Sequence, residues 1–432
     1  MTVGQSSSIG ASRLQVVIHD TEKWTRDKMT ELATTIVRNL GELRRLEMGW
    51  RELALSLSEI SFFQLPEWVF AWWEYFGAGR ELYCVAVHHS GDLVGFAPLM
   101  IQRRFGLRMV SFIGSPLNDR NRFVAADANA LFIRKAMRQC LLEHADEWDL
   151  IDLANVDDDR LIEWRESLQS SPGSRCGCVA LRPTPHPVMP VPVSWQDYWD
   201  RMPRERRRVL RRRARQLERD HQASYGVTLT PGEVAPELTK LLDLKRRSWQ
   251  ERGKLSRMNQ IHQTPAFAGF LGDACTQLAQ RHMAFVAHLR VQGIPIASSL
   301  CFVVGTTLIS YQSSYDTRFS RYAPGILLNL HIMRYAIQSG LRAFDFGTGD
   351  EPYKFAFGAL PAFNHNLVVA APGLRGRVLL SQRWMANKTA ILRDAHVAPL
   401  LRRFRWPAHV GQRIRRRDGT TGWSPMAKRA EV

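Results

Sequence analysis

Apolar positions in WTRDKMTELATTIVRNLGELRRLEMGWRELALS, residues 24–56, recur three and four apart, which predicts a helix. A second helix follows in LPEWVFAWWEYFG. There Pro66 suits a first helical turn, and Trp68, Phe70, Trp72, Trp73 and Phe76 make an aromatic stripe fit for a core. The pattern then shortens to strands. ELYCVAVHHSGDLVGFAPLMIQRR reads as strand, turn at Ser90-Gly91-Asp92, strand, and LRMVSFIG is a third strand. The polar break SPLNDRNR precedes a helix in ALFIRKAMRQCLLEHA, and WDLIDLANV closes the unit as a strand.

The same order returns two hundred residues later. MAFVAHLRVQGIPIASSLCFVV reads as a hairpin, TTLISYQSSY as a third strand, DTRFSRYAPG as the break, ILLNLHIMRYAIQSG as the helix and LRAFDFGTG as the closing strand. VHHSGDLVGFAPL matches LRVQGIPIASSL across the hairpin, and WDLIDLA matches LRAFDFG. A shared β-β-β-α-β order at similar spacing predicts an internal duplication. Between the copies, the proline-rich RPTPHPVMPVPVSW predicts an extended crossing. The arginine-rich RMPRERRRVLRRRARQLERD predicts a helix with Val209, Leu210, Ala214 and Leu217 to pack, and LLDLKRRSWQERGKLSR a further one. The resulting division is an N-terminal arm at 1–45, a first unit at 46–190, a crossing and arginine helix at 191–225, a second unit at 226–372 and a basic tail at 373–432, partly helical.

Composition narrows the partners. The 432 residues carry a formal net charge of +18, which implies anionic company: nucleic acid, membrane lipid or phosphorylated small molecules. The six cysteines have no metal-ligand spacing, and there is no HExxH, Cys/His cluster or nucleophile elbow, so no metal site is expected. The start lacks a basic region followed by an apolar one, and no apolar run has the ~18 residues of a membrane span. A cytoplasmic protein is expected, with peripheral contact to the inner membrane open.

The repeated unit has the order of the GNAT acyltransferases. LPEWVFAWWEYFGAGRELYCVAVHHSGDLVGFAPLM, RRRVLRRRARQLERD, SYDTRFSRYAPGILL and FDFGTGDEPYKFAFG resemble the bacterial acetyltransferases associated with cellulose and exopolysaccharide synthesis. They are also similar to the Fem-type aminoacyltransferases, which are tandem GNAT units. The resemblance implies an α/β (α+β) fold of tandem GNAT-like units, each a mixed, mostly antiparallel sheet flanked by helices. It also implies acyl transfer from an acyl-coenzyme A, acetyl-coenzyme A for instance, to an amine or hydroxyl. In such enzymes the break before the central helix holds the pyrophosphate, because helix N-terminal N–H groups attract anions. The matching stretch is RFSRYAPGILL, with Arg318, Arg321, Tyr322, Gly325, Ile326 and Leu327 as donor-binding residues. The alternative there is an ordinary strand-to-helix connection. The first unit's break has no such glycine, so it is expected to shape the acceptor cleft.

Acyl transfer to an amine needs a base for the acceptor proton, a group to steady the oxyanion and a proton for the leaving thiolate. Asp345, Asp350, Glu351, Tyr353 and Lys354 supply these types within ten residues. The resemblance aligns Lys354 with an active-site lysine of the Fem-type enzymes. Strand alternation sets Asp345 opposite Phe344 and Phe346, and so apolar a strand demands a partner for it. A structural role for Asp345, a solvated turn for Asp350 and Glu351, and a surface position for Lys354 stay open as alternatives. Asp316 ends the third strand of the second unit, Tyr311 and Tyr315 lie on that strand, and Asp119 holds the equivalent place in the first unit, facing the acceptor. His331 suits the core.

Three functions follow as expectations. The first is an acyl-coenzyme A-dependent N-acetyltransferase acting on an amino-sugar, polysaccharide or cell-envelope precursor. The second keeps the fold with an aminoacyl-tRNA donor, and the third is a non-catalytic basic nucleic-acid-binding protein. DNA is not an expected partner.

Overall fold

The computed structural model describes residues 32–104, 106–158, 161, 164, 168, 176–253 and 261–404, with side chains as far as residue 389. The arm ahead of residue 32 and the tail beyond 404 lie outside the described residues. Where one helix was expected over 24–56, strand β1 (Leu32–Val37) precedes helix α1 (Leu40–Ser56). The run Thr34, Thr35, Ile36, Val37 is β-branched and suits a pleated sheet better than a helix. Asn39 starts the helix, its side chain accepting from the Glu42 N–H at 2.9 Å.

Helix α2 (Pro66–Phe76) begins on its proline, with Trp68 and Trp72 buried. The first repeat continues as β2 (Arg80–Leu82), β3 (Cys84–His89), β4 (Asp92–Ala97), β5 (Leu99–Arg104), β6 (Leu107–Phe112), β7 (Val124–Ala125), α3 (Ala130–Glu143) and β8 (Leu150–Val156). Pro98, which has no N–H to give a ladder, divides β4 from β5 where the second copy keeps one long strand. The crossing forms β9 (Gly177–Pro185) and β10 (Val188–Pro190). Helices α4 (Trp195–Arg201) and α5 (Arg204–His221) follow, then β11 (Ala223–Thr228), α6 (Pro231–Glu251) and α7 (Pro265–Gln280). The second repeat is β12 (Ala284–Val291), β13 (Ile294–Val304), β14 (Thr307–Tyr315), α8 (Pro324–Gln338), β15 (Ala343–Asp345), the short α9 (Pro352–Phe357) and β16 (Phe363–Ala370). Helix α10 (Leu374–Phe404) ends the described chain. Elements up to Trp384 form one compact unit, and the part of α10 from Met385 belongs to a second.

Among the described residues the strands form three sheets, ordered β1-β3-β4-β7, β2-β5-β6-β8-β16-β9 and β10-β15-β14-β13-β12-β11. The hydrogen bonding does not follow the sequence division at 190 and 372. Strand β16, from the end of the second repeat, lies between β8 and β9, while β10, from the crossing, pairs with β15. The repeats therefore exchange strands: β16 enters the first copy's sheet and β10 forms an edge of the second's.

An aromatic core also joins them. Phe62 stacks on Phe302 at 3.8 Å between centroids, and Trp68 meets Phe270 edge-on at 4.7 Å. Phe302→Ala is accordingly expected to cost about 3–5 kcal/mol. Because its partners come from both repeats, calorimetry should show one earlier transition rather than two separated ones.

The feature that positions the site is the parting of β14 from β15. The two run parallel only at Thr307–Ile309 against Ala343–Asp345, and β14 continues to Tyr315 without β15, paired on its other side with β13. Its pairing with β13 slips between Leu300 and Cys301, leaving Tyr311 as an extra residue beside the parting.

Candidate active site

The loop between β6 and β7 carries Asp119 across to the second repeat. A buried amide network holds it: Trp68 Nε1 donates to Asn118 Oδ1 at 2.9 Å, and Asn118 Nδ2 donates to the Ile113 carbonyl and to Asn121 Oδ1. Asn121 in turn donates to the Ala154 carbonyl. Asp119 itself is partly exposed, and its Oδ1 accepts from the Thr348 hydroxyl at 2.9 Å. Burial raises its carboxyl above the ordinary range, the Asp345 carboxylate adds to this, and Thr348, His186 and Lys354 oppose it. A carboxylate raised in this way holds a proton more readily than an exposed one, which suits it to the role of a base.

Behind Asp119 the demand for a partner to Asp345 is met in full. Asp345 is wholly buried, with Oδ2 2.8 Å from His186 Nε2 and 3.3 Å from Arg120 Nη1, and Oδ1 2.8 Å from the Gly347 N–H. Burial alone would raise its pKa; His186, Arg120 and the Gly347 amide outweigh this and hold it at about 2. His186, between β9 and β10, is buried too, and its Nδ1 accepts from Asn364 Nδ2 at 3.2 Å. The same amide donates to the Asp119 carbonyl at 2.8 Å, so four separate segments meet on one network. Phe344 and Phe346 stack at 4.3 Å on the opposite side of the strand.

Lys354 is buried at the start of α9. Its ammonium donates to the carbonyls of Gly347, Thr348 and Gly349 at 3.0, 2.6 and 3.1 Å, with Glu351 Oε2 also at 3.0 Å. Three donors on three carbonyls bind the glycine loop shut over the Asp345 network. Gly347 has φ +70°, and a Cβ there would come within 2.8 Å of Asp119 Oδ2. Gly347→Ala should therefore push Asp119 from Thr348; loss of turnover with a Tm drop of several degrees is the expected outcome in parallel kinetic and thermal assays.

A second cation, which the sequence pattern did not single out, also belongs to this site. Lys245 of α6 donates to Gln312 Oε1, on β14 beyond its parting from β15, and lies 4.7 Å from the Trp249 ring. Burial lowers it to about 8, and Asp119 pulls the other way. Lys245 and His186 lacked a motif because each acts through a partner far along the chain.

The remaining expected residues divide into two places. Tyr311 packs, partly buried, against the aromatic core, its hydroxyl donating to the Leu117 carbonyl at 3.0 Å, and burial raises its pKa well above the usual phenol range. Tyr353 packs edge-on to Phe346 and is raised by burial to about 12. Asp350 and Glu351 are exposed on the loop. Further along β14, Arg318 holds the Asp316 carboxylate through its backbone N–H at 3.0 Å and its Nη2 at 2.6 Å, and this lowers the Asp316 pKa. Arg321 lies by the Tyr322 hydroxyl and Asp220, and buried Tyr322 donates to Asp220 at 2.9 Å. Ala323, left-handed at φ +53°, turns the chain into α8. Gly325 leaves room beside the Tyr315 ring, Arg252 covers that ring at 4.2 Å, Ile326 is partly buried, and Leu327 points into the core. A cavity of about 170 Å³ opens here, lined by Leu244, Arg247, Ser248, Glu251, Asp316 and Arg318. Its lining balances two arginines against two carboxylates, and Arg318 is already paired with Asp316. Among the described residues no group of three or more His, Cys, Asp or Glu is placed to hold a metal.

A parted parallel strand pair, a bulge at the parting and a helix opening just past it define a GNAT-type architecture, present here in tandem. Residues 204–355 match the family described as acetyltransferase (GNAT) domain. That stretch, which runs from α5 into α9, carries the match to a GNAT domain. Among solved structures, FemX superposes with a TM-score of 0.52 at 12% identity, over 74% of this chain and 95% of that one. A protein of unknown function from Bacteroides thetaiotaomicron gives 0.46 at 11% identity, over 78% and 100%. A tandem GNAT protein from the clavulanic acid biosynthesis pathway gives 0.42 at 12%, over 79% and 99%. The first shares the fold; the other two superpose too loosely to add to it. No curated protein matches the sequence.

Proposed function

We propose that the protein transfers an acyl group, acetyl in the simplest case, from acyl-coenzyme A to an amine of an amino-sugar, polysaccharide or cell-envelope precursor on the cytoplasmic side of the membrane. The observation that supports this most is the course of β14. It parts from β15 beside Asp119 and leads along Gln312 and Tyr315 to the cationic turn at Arg318 and Arg321. A thioester lying in the parting would have its carbonyl near Asp119 and its phosphates near the start of α8. Asp119 takes a proton from the acceptor amine as the nitrogen bonds to the thioester carbon. The carbon–sulfur bond breaks, and the thiolate takes a proton from solvent. Lys245 supplies positive charge beside Asp119, and Asp345, His186 and Lys354 hold the loop that positions Thr348.

Incubation of the purified protein with acetyl-coenzyme A and a small-molecule cell extract tests this directly. Mass spectrometry should show an acetylated amine that is absent without protein, together with free coenzyme A thiol. No new species and no released thiol would contradict the reading.

A further inference from the structure

Helix α5 buries Leu210 and Leu217 and turns the other way a ridge of arginines. Arg204, Arg208, Arg212, Arg215 and Arg219 are exposed along it, spanning about 22 Å at 1.5 Å per residue. Glu205 pairs with Arg208 and Asp220 with Arg219; Arg204, Arg212 and Arg215 have no ion pair among the described residues. The N-terminal end of α5 is tied to the candidate site from the helix's inner side, where partly exposed Arg206 lies 5.3 Å over the Phe357 ring at the end of α9. Around that helix three large apolar side chains face outward within nine residues: Phe355, Leu360 and Phe363, exposed to 38, 57 and 53%.

Unpaired arginines beside an exposed apolar cluster match the surface of an anionic bilayer, where guanidinium groups meet headgroup phosphates and the apolar tips enter the acyl boundary. RNA would use the charges but has nothing to offer Leu360. The nearby Trp195 and Trp199 rings, which might have stacked on bases, already stack on each other and are covered by Arg334 and Arg211. We propose that the arginine ridge of α5, with Phe355, Leu360 and Phe363, docks the protein on an anionic phospholipid bilayer. Docking there sets α9 and its lysine-stapled loop at the membrane surface. The inference rests on no part of the acyltransferase reading.

Flotation with phosphatidylcholine vesicles, with and without roughly 30 mol% phosphatidylglycerol at physiological salt, tests it. Binding to the anionic vesicles alone is expected. The triple variant Arg204→Glu, Arg212→Glu, Arg215→Glu should bind at least tenfold more weakly, whereas the same three changed to Lys should bind as well as the parent. Phe355→Ser with Leu360→Ser should leave a weaker association that salt removes. Failure to bind anionic vesicles, equal binding to neutral ones, or indifference to charge reversal overturns the proposal. So does a ridge whose reversal releases co-purified RNA from a protein that never binds vesicles.

Discussion

Asp345→Ala is expected to lower the unfolding free energy by about 3–5 kcal/mol, read from urea denaturation at neutral pH. The carboxylate has no exposure and accepts from His186, Arg120 and the Gly347 amide. Removing it leaves a buried imidazole N–H and a backbone N–H unpaired, and part of the Arg120 charge uncompensated. Arg120 keeps its 2.9 Å pair with Asp157, which limits the loss to that side chain's second contact. The damage spreads because the network joins β9, β15, β16 and the Asp119 loop, the places where the two repeats exchange strands. Acid should reveal the same carboxylate in the parent protein. Its pKa is depressed to about 2, so its stabilisation is complete above the unfolded value of about 4 and is lost as pH falls from there through 2. The gap between parent and Asp345→Ala should therefore narrow over that window, and a gap constant down to pH 2 would contradict the assignment.

Asp119→Asn should reduce turnover by about 10²–10⁴-fold while leaving donor affinity and Tm nearly unchanged. Asparagine keeps an oxygen for the Thr348 hydroxyl but cannot take a proton. In the parent, the acid limb of the pH–rate profile should lie above that of an ordinary carboxylate, since burial and Asp345 both raise this group. Lys354→Ala offers the contrast. Its three carbonyl contacts predict a loss of several kcal/mol of stability along with activity, because three buried acceptors lose their donor. A stable but inactive Lys354→Ala would instead favour direct contact between that lysine and substrate.

The duplicated order was legible because alternation and helical spacing are local properties, repeated twice at similar distances. The helix starts at Pro66 and in the arginine run were legible for the same reason. What joins the copies was not. The insertion of β16 between β8 and β9 depends on register across some two hundred residues, which no local pattern encodes. The need of Asp345 for a partner followed from its apolar strand, yet the partner, His186, sits in RPTPHPVMP with nothing to distinguish it. Lys354 was visible as a lysine among glycines, but not that its ammonium turns back on its own loop. Tyr311 was legible as a residue of that strand, but not that it sits at a one-residue bulge and packs, partly buried, against the aromatic core.

The central claim, that the parting of β14 and the turn at Gly325 hold an acyl-coenzyme A, is tested most directly by calorimetric titration of acetyl-coenzyme A into the parent protein and into Gly325→Glu. A glutamate suits the first turn of α8 electrostatically, so the variant should fold, while its carboxylate occupies the place of the donor phosphates. Saturable binding at micromolar concentrations to the parent, lost in the variant at unchanged Tm, is the predicted result. No heat with the parent at high micromolar donor, or equal binding to both proteins, would contradict it.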